Sequence, residues 1–276
     1  MREKPLSPRY DVVFKSIFGE KHVTVLSDFL QTVLALPAEE FQGIQMLNPY
    51  LFPLREGGKL GILDLRVKTR NGNNVHIELQ VSSQPSIWKR IEYYNASLLI
   101  DQLSAGDDYD KICPAITILI SYPVLIKEND KLHHVFLRYD KVEQICLPGS
   151  TEIHVLEVQK VQKRDDSPLA NWLQFFAAET EEDYEMAAQT RPAIAEAWGV
   201  IQHLSADQEA RLKAEYEEKA RRDEADRMKG AYREGLQEGL ISVIRNAVRK
   251  GMGHADIADL TGLSLEQAKQ YIAKFA

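Results

Sequence analysis

Two acids and an amide, Asp64, Glu78 and Gln80, occupy positions in this 276-residue chain where residue type and spacing together suggest chemistry. They lie in the stretch KLGILDLRVKTRNGNNVHIELQV, from Lys59 to Val81. Leu63, Leu65 and Val67 alternate with Ile62, Asp64, Arg66 and Lys68; Val75, Ile77, Leu79 and Val81 alternate with His76, Glu78 and Gln80. Such alternation marks strands with one buried face, and Asn71-Gly72 between the runs marks a hairpin. Facing residues of a hairpin share a side of the sheet, so matching the two apolar sets requires facing numbers to sum to an even value. A three-residue loop or a bulge satisfies this better than a two-residue turn. With 71–73 as the loop, Asp64 is expected opposite Gln80 and next to Glu78, all three on the polar face. Hard divalent cations such as Mg2+ are often held by one or two carboxylates, with water completing the shell. Such an ion polarises a phosphoryl oxygen and lowers the pKa of a bound water until it becomes a nucleophile. The competing reading is a solvated strand face, the usual place for charged residues.

The elements that must position this hairpin are legible as periodic stretches. Residues 8–36 carry helical spacing: Val13, Phe14, Ile17 and Phe18, then Val25, Leu26, Phe29, Leu30, Val33 and Leu34. Ser7-Pro8 opens the first of two helices, with Gly19 and Pro37 as punctuation. Asp11 and Lys15, four residues apart, share one helix face and form a surface ion pair worth a few tenths of a kcal/mol. Residues 44–54 contain Pro49 and Pro53 and suit a short edge strand or connection. After Pro85 a helix runs through Ile87, Ile91, Tyr94, Leu98 and Ile100 to Leu103, ending before Gly106. Arg90 and Tyr94 share a face of it. Either they pack amphipathically, with the arginine capping a carboxylate, or they overhang the acids and hold a phosphate, which guanidinium geometry suits. Pro114–Tyr122 is a continuous apolar run, as in a strand covered on both faces. His133–Tyr139 and Thr151–Val161 read as further strands. His133 and His134 point to opposite faces of their strand, so a joint metal site is not expected. Strands interleaved with helices imply an α/β core with a mixed sheet.

The longer pattern D-L-R-V-K-T-R-N-G-N-N-V-H-I-E-L-Q resembles the Rpn family of recombination-promoting nucleases, also described as transposases of the PD-(D/E)XK superfamily. Three other stretches are similar to that family: Asp11-Val12-Val13-Phe14-Lys15-Ser16-Ile17-Phe18-Gly19; Arg90-Ile91-Glu92-Tyr93-Tyr94, followed by Gln102 and Gly106 to Tyr109; and Glu152-Ile153-His154-Val155-Leu156-Glu157-Val158-Gln159-Lys160. In order they span residues 7–160. The resemblance implies a metal-dependent DNA endonuclease that hydrolyses phosphodiester bonds in recombination or mobile-element activity. Asp64, Glu78 and the Leu79 carbonyl would hold Mg2+, or another divalent cation such as Mn2+ or Ca2+. Gln80 would position the attacking water, Lys15, Arg90 and Tyr94 would contact phosphate, and Asp11 would be auxiliary. The superfamily most often has lysine where Gln80 stands; glutamine orients water but brings no positive charge. The alternative is a catalytically weak or inactive nuclease fold serving as a DNA-binding or docking scaffold.

Composition narrows the other classes. Hydrophobic residues at 44% and charged residues at 27% fit an ordinary soluble globular chain. No apolar run reaches the ~18 residues of a spanning helix, and the N-terminus lacks a signal-peptide core. Two cysteines without a C-x-x-C pair argue against a thiol-rich zinc site or a disulfide framework. Both read as small core residues, and a cytoplasmic location is expected. A net charge of -7 argues against indiscriminate DNA coating and leaves room for a local basic groove. Phosphate-loop, dinucleotide, serine-elbow and zincin motifs are missing, so no nucleotide cofactor is expected. A three-acid transposase would need a further acid, with Asp101 or Glu157 as nominees that no spacing favours.

Beyond residue 165 the pattern becomes almost wholly helical. Trp172, Phe175 and Phe176 form one apolar face; Trp198, Ile201 and Leu204 form another. Residues 205–250 carry 11 Lys/Arg against 10 Asp/Glu, the balance of a solvated helix laced with i,i+4 pairs. Gly230, Gly235 and Gly239 each cost a helix ~1 kcal/mol against alanine, which suggests close helix–helix approach in a homodimer. Ala255 to Ile272 resembles a short helix-turn-helix, with Gly262 at the turn and a Ser264/Gln267 capping box. Little positive charge accompanies it, favouring oligomerisation or docking over DNA reading. The expected division is therefore a nuclease-like core over 1–165, a helical extension over 166–250 and a C-terminal element over 251–276.

Overall fold

The computed structural model describes residues 4–51, 60–147 and 151–273. Pro53 and Lys59, at the ends of two stretches read above, lie outside them. The chain divides into two compact units, Met1–Glu215 and Tyr216–Ala276. The first is α/β, with a mixed six-stranded sheet between helical layers.

In chain order this unit comprises α1 (Asp11–Ile17), α2 (Val23–Leu34), β1 (Gln45–Met46), β2 (Tyr50–Leu51), β3 (Gly61–Ile62), β4 (Leu65–Lys68) and β5 (Asn74–Gln80). Then come α3 (Ile87–Ile100), β6 (Ala115–Ser121), β7 (His133–Phe136), β8 (Thr151–Glu157), α4 (Pro168–Ala177), α5 (Glu181–Ala188) and α6 (Pro192–Ala206). The sheet order is β1-β4-β5-β6-β8-β7; β5, β6 and β8 are mutually parallel and the outer pairings antiparallel. β2 and β3 form a separate two-stranded ribbon.

Parity sorts the strand residues onto two covered faces. Leu65, Val67, Val75, Ile77, Ile116, Ile118 and Ile120 share a core with α1, α2 and α4–α6. Rings from distant stretches meet there: Phe18 lies 5.1 Å from Phe29 and 6.0 Å from Trp172. Asp28 ties the layer together, accepting from Trp172 Nε1 at 2.9 Å and from both Nε and Nη2 of Arg191. The opposite face is roofed by α3, whose Ile87 and Ile91 pack on Leu119 and Val155 while Tyr94 and Leu98 pack with Leu63 and Ala115. β6, buried along its whole length, is the central strand its apolar run implied.

The helix α7 (Gln208–Arg249) begins in the first unit, where Ala210 and Ala214 are buried. In the second unit Ile244 and Ala247 of α7 pack with Ile257 of α8 (His254–Thr261) and Ile272 of α9 (Leu265–Ile272). Gly262 turns the chain at φ +68, and Ser264 and Gln267 form the reciprocal cap. Among the described residues no helix is long and apolar enough to cross a membrane. The cysteines correct the sequence expectation. Cys146 is exposed in a hairpin bridged by Tyr139, and Cys113 is half-buried beneath Gly72. Neither belongs to the core.

Candidate active site

The hairpin ladder stops where the chemistry begins. Leu65 faces Ile77 and Val67 faces Val75, so the even-sum rule holds, but the register lies two residues from the one expected. The loop is 70–72 rather than 71–73: Thr69 N–H donates to Asn73 O and Gly72 N–H to Thr69 O, both at 3.0 Å. Gly72 takes φ +93 with Cys113 Sγ directly under it, a place with no room for a side chain. Continuing this register sets Asp64 across from Glu78 rather than Gln80. The strands have parted by then. Leu63 N–H donates to Pro49 O at 3.0 Å and β3 pairs with β2, leaving the Leu79 N–H without its ladder partner. Asp64 Oδ2 accepts that N–H at 2.8 Å. The N–H and C=O of one strand residue leave the same side of the strand. The Leu79 carbonyl is therefore directed into the same gap as the Asp64 carboxylate.

The polar face is not solvated. α3 covers it, leaving Glu78 6%, Gln80 3% and His76 0% exposed. Burial of this kind requires partners, and Arg90 supplies them from α3. Its Nη2 donates to Glu78 Oε1 at 2.6 Å and to Gln80 Oε1 at 2.7 Å, and its Nη1 to Gln84 Oε1 at 2.9 Å. Glu78 Oε2 lies 3.1 Å from His76 Nε2. Gln80 Nε2 donates to the Ser82 carbonyl. Arg90 caps the carboxylate with its side chain 24% exposed, and Tyr94 is buried with its ring edge-on to His76 at 5.7 Å.

Asp64 bears the electrostatic cost. Burial, then the charge of Glu78, push its carboxyl up to about 7, against the Leu79 N–H bond; Asp11 raises it further and Lys15 lowers it. Asp11 and Lys15, paired at 2.9 Å on α1, are thus close enough to act on the site. The nominated third acids are engaged elsewhere. Asp101 pairs with Arg66 at 2.7 Å; Glu157 pairs with Lys160 and accepts the Leu125 and Ile126 N–H groups. Two residues the sequence reading did not single out belong to the cluster. His76 was signalled by its parity with Glu78; Gln84, in the connection to α3, had no periodic signal.

Asp64, Glu78 and the Leu79 carbonyl form an all-oxygen donor set at one strand edge, the kind a hard divalent cation takes. The displaced Asp64 carboxyl marks a place short of positive charge, and each Glu78 oxygen retains a lone pair beside its present bond. The residues present fit such an ion.

A mixed six-stranded sheet with a parallel centre, flanked by helices, is consistent with the PD-(D/E)XK fold. The family model for the PD-(D/E)XK nuclease family transposase matches residues 8–231, and the chain belongs to that family. No curated protein and no solved structure matches it.

Proposed function

We propose that this chain is a divalent-metal-dependent DNA endonuclease acting in recombination or mobile-element movement. The observation that supports this best is the meeting of Asp64 and Glu78 at the point where β4 leaves β5, with the Leu79 backbone turned to the same gap. Asp64, Glu78 and the Leu79 carbonyl would hold Mg2+, Mn2+ or Ca2+, and such an ion supplies Lewis-acid polarisation of the scissile phosphate. The chain's own residues do the rest. Gln80 orients the attacking water by hydrogen bonding. Arg90, in contact with both Glu78 and Gln80, brings the positive charge that glutamine lacks at the usual lysine position. Lys15 on α1 adds a second cation, with Asp11 fixing its side chain. Tyr94 stands behind the acids as a wall of the site, and the family resemblance nominates it as a phosphate contact.

One observation favours the rival reading, a nuclease fold kept as a DNA-binding or docking scaffold: Arg90 already neutralises Glu78. Titrating Mg2+ and Mn2+ against plasmid DNA separates the two. Metal-dependent cleavage that disappears in Asp64→Ala and Glu78→Ala supports the enzyme; DNA binding without cleavage under any metal supports the scaffold.

A further inference from the structure

His76 has no place in the scheme above, yet it is the most deeply buried polar side chain beside the acids, at 0% exposure. Two residues before Glu78 on β5, it shares that residue's face of the sheet. Its Nε2 lies 3.1 Å from Glu78 Oε2. A hydrogen bond across that distance has the ring Nε2 as donor and the carboxylate oxygen as acceptor. Nδ1 is buried and has no hydrogen-bond partner among the described residues. A strand position covered by α3 would hold valine or isoleucine at less cost, because an unpaired buried polar atom is unfavourable. The imidazole is retained here with one nitrogen satisfied, and that nitrogen is aimed at Glu78.

Among the described residues its polar neighbours are engaged elsewhere. Tyr94 packs edge-on against the ring and fixes its plane. Arg66, facing His76 across the ladder, is occupied with Asp101 at 2.7 Å and Asn74 at 3.4 Å, and does not compete for Glu78. Thr117, facing it from β6, accepts from Asn95 Nδ2 at 3.0 Å. Arg90 grips one oxygen of Glu78 and His76 the other, so the carboxylate is held from both sides.

We infer that His76 is a positioning residue, locking the Glu78 carboxylate in the orientation required to bind a divalent cation. The inference rests on the metal-dependent reading of Asp64 and Glu78. Partners of this kind typically tune metal affinity by ~10–100-fold when removed. The role belongs to the Nε2–H donor rather than to ring volume, which makes it separable from packing.

Two variants and two readouts test it. His76→Leu keeps bulk and removes the donor; His76→Gln keeps a donor near the Nε2 position. Calorimetric titration with Mn2+ is expected to show affinity ~10–100-fold weaker in His76→Leu and near wild type in His76→Gln. Equal affinity in wild type and His76→Leu, or equal losses in both variants, would overturn the inference. Nitrogen NMR of the wild-type imidazole in EDTA supplies the independent readout. It should show Nε2 protonated and Nδ1 bare, with the Nε2 signal moving in Glu78→Ala. A wild type that binds no Mn2+ sinks the nuclease reading itself; the nitrogen signals then decide alone whether His76 holds Glu78, and the opposite tautomer refutes it.

Discussion

Asp64 and Glu78 meet at the end of a ladder, where burial and mutual repulsion push the Asp64 carboxyl up to about 7 from 3.8. Between those values the folded protein binds more protons than the unfolded chain, so this residue's contribution to stability is full below about pH 4 and is lost as pH rises through 7. Each unit of displacement corresponds to about 1.4 kcal/mol. Asp64→Asn, still able to accept the Leu79 N–H, is therefore expected to melt at least ~3 °C above wild type at pH 8 in EDTA, with the gain vanishing near pH 4. The same variant should be inactive as a nuclease. Scanning calorimetry at the two pH values checks the first part; a variant that melts lower at pH 8 contradicts it. Arg90→Ala works in the opposite sense, stranding Glu78 and the Gln80 carbonyl. It is expected to lose about 1–3 kcal/mol in urea unfolding, with an unchanged midpoint as the contrary result. Convergence of the two acids was readable because parity fixes which residues share a face. The inward turn of Arg90 was not, since a helix pattern shows which residues share a side and not which partner lies beneath.

At the scale of elements, Asp64 lies where one strand becomes two. Alternation from Ile62 to Lys68 read as a single strand, but its first part pairs with β2 and its second with β5, with the Asp64 side chain filling in for the missing ladder acceptor. Local periodicity cannot report a change of partner. Nor can it report that α3 covers the polar face, because a buried polar strand face and a solvated one alternate identically. The loop shift from 71–73 to 70–72 depended on Cys113 lying under Gly72, a contact between residues far apart in sequence.

The β7–β8 edge carries a second polar line. His154 Nε2 lies 3.2 Å from Glu152 Oε2, and His154 Nδ1 lies 2.9 Å from His133 Nε2. Burial first, then the neighbouring His154 and His134, lower the His133 pKa to about 4 from 6.5, while the bond from His154 lowers that of Glu152. A depressed histidine gives stability that is full above pH 6.5 and lost as pH falls toward 4. Unfolding by urea at stepped pH should therefore show an acid limb across this window, flattened in His133→Gln. An identical limb in the variant contradicts the assignment.

The two units also differ in what sequence alone could convey. In the first, aromatic and aliphatic residues from positions 13 to 201 share one core, so the sheet and its helices were recoverable from hydrophobic pattern and family resemblance together. The helices α4–α6 contribute Trp172, Phe175, Tyr184 and Trp198 to that core, although composition alone suggested an extension beginning near residue 166. In the second unit, a Cβ added at Gly230, Gly235 or Gly239 would meet nothing within 4 Å among the described residues beyond the helix's own adjacent backbone. Tyr232 and Leu236 on the same stretch are exposed. The homodimer expected from the sequence would pair α7 with a second copy there. Gly235→Ala and Gly239→Ala should then reduce the self-associated fraction in analytical ultracentrifugation. If the mass is unchanged and the helix gains the ~1 kcal/mol per site expected of a free surface, no such pairing exists.

Everything proposed for catalysis depends on a cation held by Asp64, Glu78 and the Leu79 carbonyl. Anomalous diffraction from crystals grown with Mn2+ tests that most directly. The account expects one peak between the two carboxylates, with oxygen ligands and Arg90 still touching Glu78 or swung toward solvent. Saturating Mn2+ with no density between Asp64 and Glu78, and Arg90 unmoved, would contradict it.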